Sequence, residues 1–566
     1  MTNDEISEVF RNISNLLQIQ GEDSFRARIY ERSAESIESL TVDLHQLVEQ
    51  GRVRSIPGIG KAIEQKIIEM LETGRCRFYE NLIQEMGLEV LELLRVRGVG
   101  TKTASRFYHE LGVKSASNLR EAIDSGKLKE MDRIGAKTIA AIDQGLKYYE
   151  SQSQTRALWQ VLPIAHAVLD ALERSDEIGR ADFTGDLRRC EEVLHSIGLT
   201  AECDNPKAIA EILSGINGVE SPEIENGVLI ASSVDGGFPL RIHCYQPEAY
   251  AEGLLLTTGT GEHIAKLNQI AKARNLDELC TPSPVWCNNK TEAGIYDKLG
   301  LPFIVPELRR SADAVDSALT GDLPALIELE ELRGDLHAHT DWSDGRHSIK
   351  EMIEAAKAFG HEYVAITDHS ESSRVANGLT PERLLEQIKH IREANAAIGG
   401  IEVLAGSEVD IRMNGRLDFS DEILKQLDIV IASVHSGFTM SKSAMTKRVV
   451  RAIENPYVTI IGHPTGRLLG QRPGYPIDLD EVISAAAAND VVLEINASPS
   501  RLDLEPCIAR RARRNGVLLA INTDAHSTKQ IEHIRFGVNV ARRGWLEKKD
   551  VINTYPLASL QKIISR

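Results

Sequence analysis

No C-x-x-C pair occurs anywhere in this chain of 566 residues. Its seven cysteines, Cys76, Cys190, Cys203, Cys244, Cys280, Cys287 and Cys507, are odd in number and scattered. That speaks against a thiolate zinc knuckle and for a reducing cytoplasm. No uninterrupted apolar run approaches the ~18 residues that cross a bilayer, so no membrane partner is expected. The opening residues, MTNDEISEVFRNIS, carry acids and no apolar stretch, so no secretory signal is expected and the expected location is cytoplasmic. Positive charge is also short: 65 Lys and Arg against 83 Asp and Glu leave −18. A uniformly basic nucleic-acid coat is excluded, but a local basic face is not. Low-complexity tracts and long repeat arrays are absent. The rest is ordinary for a globular protein, with 42% hydrophobic and 26% charged residues. At roughly 150 residues per domain, the length predicts three or four domains, enough to bury several cores.

Histidine is unevenly spread. Ten of the 16 lie between His337 and His533, and six lie before. This shift predicts a boundary near 310–333, where the small and acidic residues 311–332 read as a linker. Residues 1–150 read as helical, with apolar positions three and four apart at Val9, Ile13, Leu16 and Leu17, and at Ile63, Ile67, Ile68 and Leu71. Two turns there repeat. SIPGIGKAIEQKI has Gly58 and Gly60 before Lys61, and RVRGVGTKTASRF has Gly98 and Gly100 before Lys102. Each opens a helix whose free backbone amides can take a phosphate oxygen. Glycine lets a nucleic-acid backbone approach, and the lysine adds charge. The bland reading of one such turn is a glycine-capped helix junction; two copies favour phosphate binding without sequence readout. The pattern is that of a helix-hairpin-helix. MDRIGAKT, with Gly135 but Arg133 in place of the first glycine, is a weaker third copy.

Residues 155–310 mix helices with short β-like runs such as GVLIASSV and PLRIHCY. SFRARIYERSAESI, the two glycine turns, TGDLRRCEEV, TTGTGEH and IYDKLGLPFIVPELRR follow one another in an order that resembles bacterial family X DNA polymerases. The resemblance covers nearly the whole chain. It implies an α+β, polymerase-beta-like nucleotidyltransferase region at 155–310, with palm and thumb-like parts, joined to a C-terminal PHP (polymerase and histidinol phosphatase) domain. Nucleotidyl transfer needs carboxylates that hold two metal ions. In the family two aspartates at i and i+2 of one strand supply them, with a third on a neighbouring strand. Matching from Gly185, those positions are Ser196, Gly198 and Pro239 here. Asp186 replaces the serine that meets the triphosphate, and an acid there repels it. The polymerase site is therefore expected to be inactive, unless Asp182, Glu191 or Glu192 take over as shifted ligands. Arg188, Arg189 and TTGTGEH remain as retained fold or residual DNA contact.

Residues 333–566 alternate β-like runs with helices: YVAITD, IEVLAGSEVD, DIVIASVH, VTIIGHP, VVLEIN and VLLAINTD. This indicates a parallel barrel or sheet, where catalytic groups sit at the C-terminal strand ends. Those ends carry Asp368 with His369, Glu408, His435, His463, Glu494, and Asp524 with His526. DLHAHTDWSDG ahead of them adds His337, His339 and Asp344. One such residue is ordinary; the repetition points to metal. Imidazole with carboxylate suits Zn, Mn or Fe, and Mg is less expected.

This set resembles the PHP family, which implies a distorted (β/α)₇ barrel with two or three divalent metals. The family pattern assigns His337, His339, Glu408 and Asp524 to the first metal. Glu408 would bridge to a second held with His435 and His463, and Asp344, His369 and His526 would hold the third. Glu408, Asp524, His435 and His463 are the expected catalytic centre. His347 and His361 fit no shell and are expected at the surface. Glu494 is either a ligand or a buried structural acid. Arg374 and Arg467 either steady a phosphate or face solvent.

The expected fold is therefore multidomain: a helical helix-hairpin-helix region, an α+β middle and a C-terminal α/β barrel. The expected activity is a metal-dependent phosphoesterase acting on gapped, nicked or 3′-ended DNA in repair, as a 3′–5′ exonuclease. The alternatives are a gap-filling polymerase with displaced ligands, a DNA-binding repair scaffold, and a small-molecule phosphatase. No feature designates a protein partner.

Overall fold

The computed structural model describes all residues except 2, 22–23, 39–43, 50, 57, 133, 154, 221, 227–228, 235–236, 280–285, 287–288 and 566. Cys280, Cys287 and Arg133 therefore lie outside the described residues. Cys76, Cys190, Cys203, Cys244 and Cys507 are free thiols. Among the described residues, no helix is long and apolar enough to cross a membrane. The chain forms two compact units, Met1–Ser153 and Gln154–Leu469 with Pro473–Arg566.

The first unit is helical throughout. In helix Asn3–Gln20, Ile6, Phe10, Ile13 and Leu17 recur at spacings of three and four and are all fully buried. Helices Lys61–Thr73 and Thr101–Leu111 bury Ile63, Ile67 and Met70, and Ala104 and Phe107.

The second unit begins with a five-stranded sheet: β1 Ala181–Thr184, β2 Ile197–Glu202, β3 Glu223–Glu225, β4 Leu229–Val234 and β5 Phe238–Tyr245, in the order β1-β2-β5-β4-β3. β2 runs parallel to β5, with Gly198 opposite Arg241, and antiparallel to β1, with Gly198 opposite Thr184. Helix Leu158–Glu173 covers the sheet with Val161, Ala165, Val168 and Leu172, joining Leu199, Ile230, Leu240 and Ile242 in one core.

Seven parallel strands follow in chain order: β6 Gly334–Ala338, β7 Tyr363–Ile366, β8 Glu402–Asp410, β9 Ile429–Ser433, β10 Ile460–Ile461, β11 Val492–Asn496 and β12 Leu519–Asn522. A parallel bridge between Ala338 and Ala525 brings the last strand back to the first, so the barrel is nearly closed. Its strands are buried on both faces, as the near-continuous apolar runs require. The outer helices start where their sequences signal it. The side chains of Ser348, Thr380, Ser441 and Asp478 each accept a backbone N–H of the first turn, each stabilising by about 1 kcal/mol.

Residues 311–332, read from composition as a linker, are packed structure. Helix Asp313–Thr320 buries Ala314, Val315 and Ala318, and the Ile327 N–H donates to the Leu546 carbonyl at 3.0 Å. Small residues there serve close packing; they do not mark slack chain.

Candidate metal centre

The barrel strands end in the polar residues singled out above, and those ends converge on Glu408. Its Oε1 lies 2.9 Å from His463 Nε2 and 3.3 Å from His435 Nε2. Its Oε2 lies 2.9 Å from His369 Nδ1, 3.6 Å from His337 Nε2 and 3.7 Å from His339 Nε2. Asp524 Oδ1 is 3.1 Å from His339 Nε2 and 3.6 Å from His337 Nε2. Asp344 Oδ2 is 3.5 Å from His369 Nε2 and 3.4 Å from His526 Nε2. All nine expected ligands thus come together. Three compact groups can each hold an ion: His337, His339 and Asp524; His369, Glu408 and His435; and His339, Asp344, His369 and His526.

Electrostatics reinforce the grouping. Burial opposes charge on Glu408, yet His435, His369 and His337 hold its carboxyl well below the usual range. Burial likewise opposes charge on His435, but Glu408 and Asp410 raise its pKa to about 9. The donor set also passes a test of fit. His337 Nε2, His339 Nε2 and Glu408 Oε2 are buried, face the centre and make no hydrogen bond. Buried polar atoms left open in this way are costly unless something takes their lone pairs. A divalent cation fits this nitrogen and oxygen set.

Further residues fix the ligands. Glu494 is fully buried and accepts from His337 Nδ1 at 2.7 Å and from the His463 backbone N–H at 2.7 Å. It therefore stands behind two of the expected ligands, in the place of a supporting structural acid. Asp410 accepts from His435 Nδ1 at 2.5 Å and is held by the Ser372 and Ser373 hydroxyls at 2.6 and 3.0 Å. The sequence reading passed over Asp410, although its place two residues after Glu408 on one strand was the available signal. The backbone is in the left-handed region at two ligands, His463 (φ 27°) and Asp524 (φ 55°).

Asp344, His369, Glu408, His435, His463, Asp524 and His526 line an open cleft of about 710 Å³. Arg374 lies exposed at its edge. Two expectations need correction. Arg467 neither steadies a phosphate nor faces solvent. It is buried, with Nη2 at 2.9 Å from Glu192 and Nη1 at 3.1 Å from Glu505, and it donates to the carbonyls of Arg501 and Leu502. His361 is no surface residue but is 5% exposed, and burial lowers its pKa to about 4. His347 is half-buried and accepts from the Thr528 N–H at 3.4 Å.

The sheet positions contrast with the barrel. Ser196 precedes β2, Gly198 lies within it, and Pro239 lies in the adjacent β5. No carboxylate stands at any of them. Asp182 accepts from the Tyr250 hydroxyl at 2.7 Å, and Asp186 is paired with Arg189. Glu191 is paired with Arg543 and Glu192 with Arg467. Arg188 is held by Glu292 through two hydrogen bonds of 2.9 and 2.7 Å. Among the described residues, every candidate metal grouping lies in the barrel.

In the helical unit the two glycine turns share one conformation. Gly58 and Gly98 have φ of 80° and 93°. Gly60 and Gly100 cap the next helices at φ −91°, ψ 174° and φ −92°, ψ 174°. A Cβ on either cap would meet nothing within 4 Å, and Lys61 and Lys102 are exposed. Both surfaces are open where a phosphate would approach.

Comparison with known proteins agrees with this division. Residues 1–76 match the model of a helix-hairpin-helix domain, 90–147 a SAM-like helix-hairpin-helix tandem, and 335–498 the PHP domain. The DNA polymerase/3′-5′ exonuclease PolX of Bacillus subtilis (strain 168) is 34% identical, aligned over 99% of both chains. A probable phosphatase of Thermoanaerobacter sp. (strain X514) is 34% identical over 39% of this chain and 89% of its own length. Another, from Caldanaerobacter subterraneus subsp. tengcongensis, is 40% identical over 34% of this chain and 75% of its own.

Proposed function

The chain belongs to the family of the DNA polymerase/3′-5′ exonuclease PolX, and from that membership we propose that it shortens DNA from the 3′ end in its barrel. The clustering of the nine expected ligands, five of them imidazoles that face Glu408, with buried donor atoms left open, carries this reading. His337, His339, Glu408 and Asp524 would hold one metal. Glu408, His435 and His463 would hold a second, and Asp344, His369 and His526 a third, with Zn, Mn or Fe as the ions. When bound, such ions activate water and neutralise phosphate charge. The chain's own groups prepare the site. Asp410 and Glu494 accept hydrogen bonds from Nδ1 of His435 and His337 and so hold each Nε2 toward the centre. Arg501, whose Nε is 3.8 Å from Asp524, and Arg374 at the cleft edge supply positive charge for the phosphate.

The glycine turns with Lys61 and Lys102 would grip the DNA backbone, and the sheet would add no nucleotides. Gapped DNA with a labelled 3′ end, incubated with Mn²⁺, tests both halves: shortening without extension is expected. Extension that survives Asp344→Ala would show an active polymerase site with other ligands. The relatives that span the barrel and are named probable phosphatase favour a second reading, hydrolysis of small phosphate esters. The paired glycine turns weigh against it, since a small substrate needs no backbone grip.

A further inference from the structure

Among the described residues of 333–566, the large apolar side chains left exposed are Val375, fully exposed, and Met413, 54% exposed. Both line the same cleft as the metal ligands. Exposed apolar surface costs about 25 cal/mol per Å², and in this region the described residues leave it only at this cleft.

Hydrogen bonds fix the backbone that carries each of them. Val375 sits in the short turn Arg374–Ala376, closed by the Asn377 N–H to the Arg374 carbonyl at 3.2 Å. Asn377 anchors that turn, its Nδ2 donating to the Trp342 and Ser343 carbonyls at 3.2 and 3.3 Å. Met413 tips a hairpin formed by the Ile411–Leu417 bridge, with the Arg412 N–H donating to the Arg416 carbonyl at 2.8 Å. Arg448 clamps the hairpin base, its Nε donating to the Ile411 carbonyl at 3.0 Å and its Nη1 lying 3.7 Å from Met413 Sδ. A Cβ on Gly437 would come within 2.5 Å of the same sulfur, so glycine there makes room for this placement.

The buried ligand cluster makes the floor of the cleft ionic, while its exposed lining carries Val375 and Met413 together with the cationic Arg374 and Arg412. We infer that Val375 and Met413 receive the nucleobase of the 3′-terminal nucleotide while its phosphodiester lies on the floor. The inference rests on the reading of the floor as the scissile-phosphate site. Apolar side chains are what proteins set against unstacked bases, and such contacts read no sequence because every base has an apolar face. The rim therefore selects an unstacked 3′ end over a paired one and is indifferent to base identity.

A cycle between protein and substrate tests this. The full chain and its Val375→Ser/Met413→Gln variant, both with Mn²⁺, are given single strands that end in thymidine or in an abasic sugar. Removing the base should lower kcat/KM tenfold or more in the wild type and less than threefold in the variant. An equal loss in both, or no loss in the wild type, would overturn the inference and leave the exonuclease reading standing. A wild type that hydrolyses bis(p-nitrophenyl) phosphate but shortens neither strand would overturn both.

Discussion

The barrel centre and the five-stranded sheet belong to one compact unit, and both place acids and cations near strand ends. In the barrel, His337 Nε2, His339 Nε2 and Glu408 Oε2 are buried without a hydrogen bond. Around the sheet the acids are all engaged: Asp182 with Tyr250, Asp186 with Arg189, Glu191 with Arg543 and Glu192 with Arg467. Glu292 likewise takes up Arg188 and Arg309. The barrel centre keeps donors open toward an ion, whereas the acids around the sheet are neutralised by their neighbours. Glu192 shows the outcome: burial raises its carboxyl pKa, and the barrel's Arg467 answers it. The charge left in the sheet now ties that layer to the barrel.

Breaking the open centre should give the largest effect. Glu408→Ala removes a carboxylate that faces five imidazoles, so DNA hydrolysis should fall roughly a thousandfold. Elemental analysis should show metal lost from the same protein, while DNA binding by gel shift stays near wild type. Full metal content in this variant would show that Glu408 is no ligand.

Acid should separate an unpaired imidazole from the ligand imidazoles. His361 is buried with no partner at Nε2, and its folded-state pKa is about 4 against about 6.5 when unfolded. Its depressed pKa gives stability that is present above pH 6.5 and lost as the pH falls to 4, about 3 kcal/mol in all. Urea unfolding of His361→Leu beside the wild type should show their stability difference shift by that amount, in favour of the variant, between pH 7 and pH 4. Parallel curves would mean that His361 titrates normally.

The helical unit tests whether phosphate grip is separable from hydrolysis. Gly60 and Gly100 have extended backbone and open space above, so Val fits there without strain but covers the amides. Gly60→Val/Gly100→Val should weaken DNA binding about tenfold, with a shallower salt dependence. Unchanged affinity across salt would make both turns purely structural.

The smallest change is expected where the sheet is repaired. Ser196→Asp, Gly198→Asp and Pro239→Asp together should restore no gap filling in a primer-extension assay. A Cβ at Gly198 would stand 3.1 Å from Thr184 Cγ2 and 3.3 Å from its carbonyl oxygen, and Asp186 still opposes a triphosphate. Extension by this variant would show that the missing acids were the sole defect.

The barrel and the clustering of the nine expected ligands were legible because strand ends are local: a β-like run stops, and the next polar residue is the candidate. Asp410 is equally legible, two residues beyond Glu408 on the same strand, but it lies outside the family motif. His361 was not, because nothing in GHEYVAI marks one imidazole as enclosed; its burial comes from tertiary packing beside Phe359, ring centroids 5.1 Å apart. The pairing of Glu192 with Arg467 spans 275 residues and leaves no periodic trace. The packing of residues 311–332 was hidden for the opposite reason, since small residues signal slack and close contact alike.

His463 and Asp524 hold left-handed backbone that an unbranched glycine adopts freely. Each such position costs of order 1–3 kcal/mol, so substitution by glycine would ease the fold while deleting a ligand. Stability and chemistry therefore pull these two codons in opposite directions. In a lineage that no longer needed the hydrolase, drift toward the relaxed backbone would erase them early.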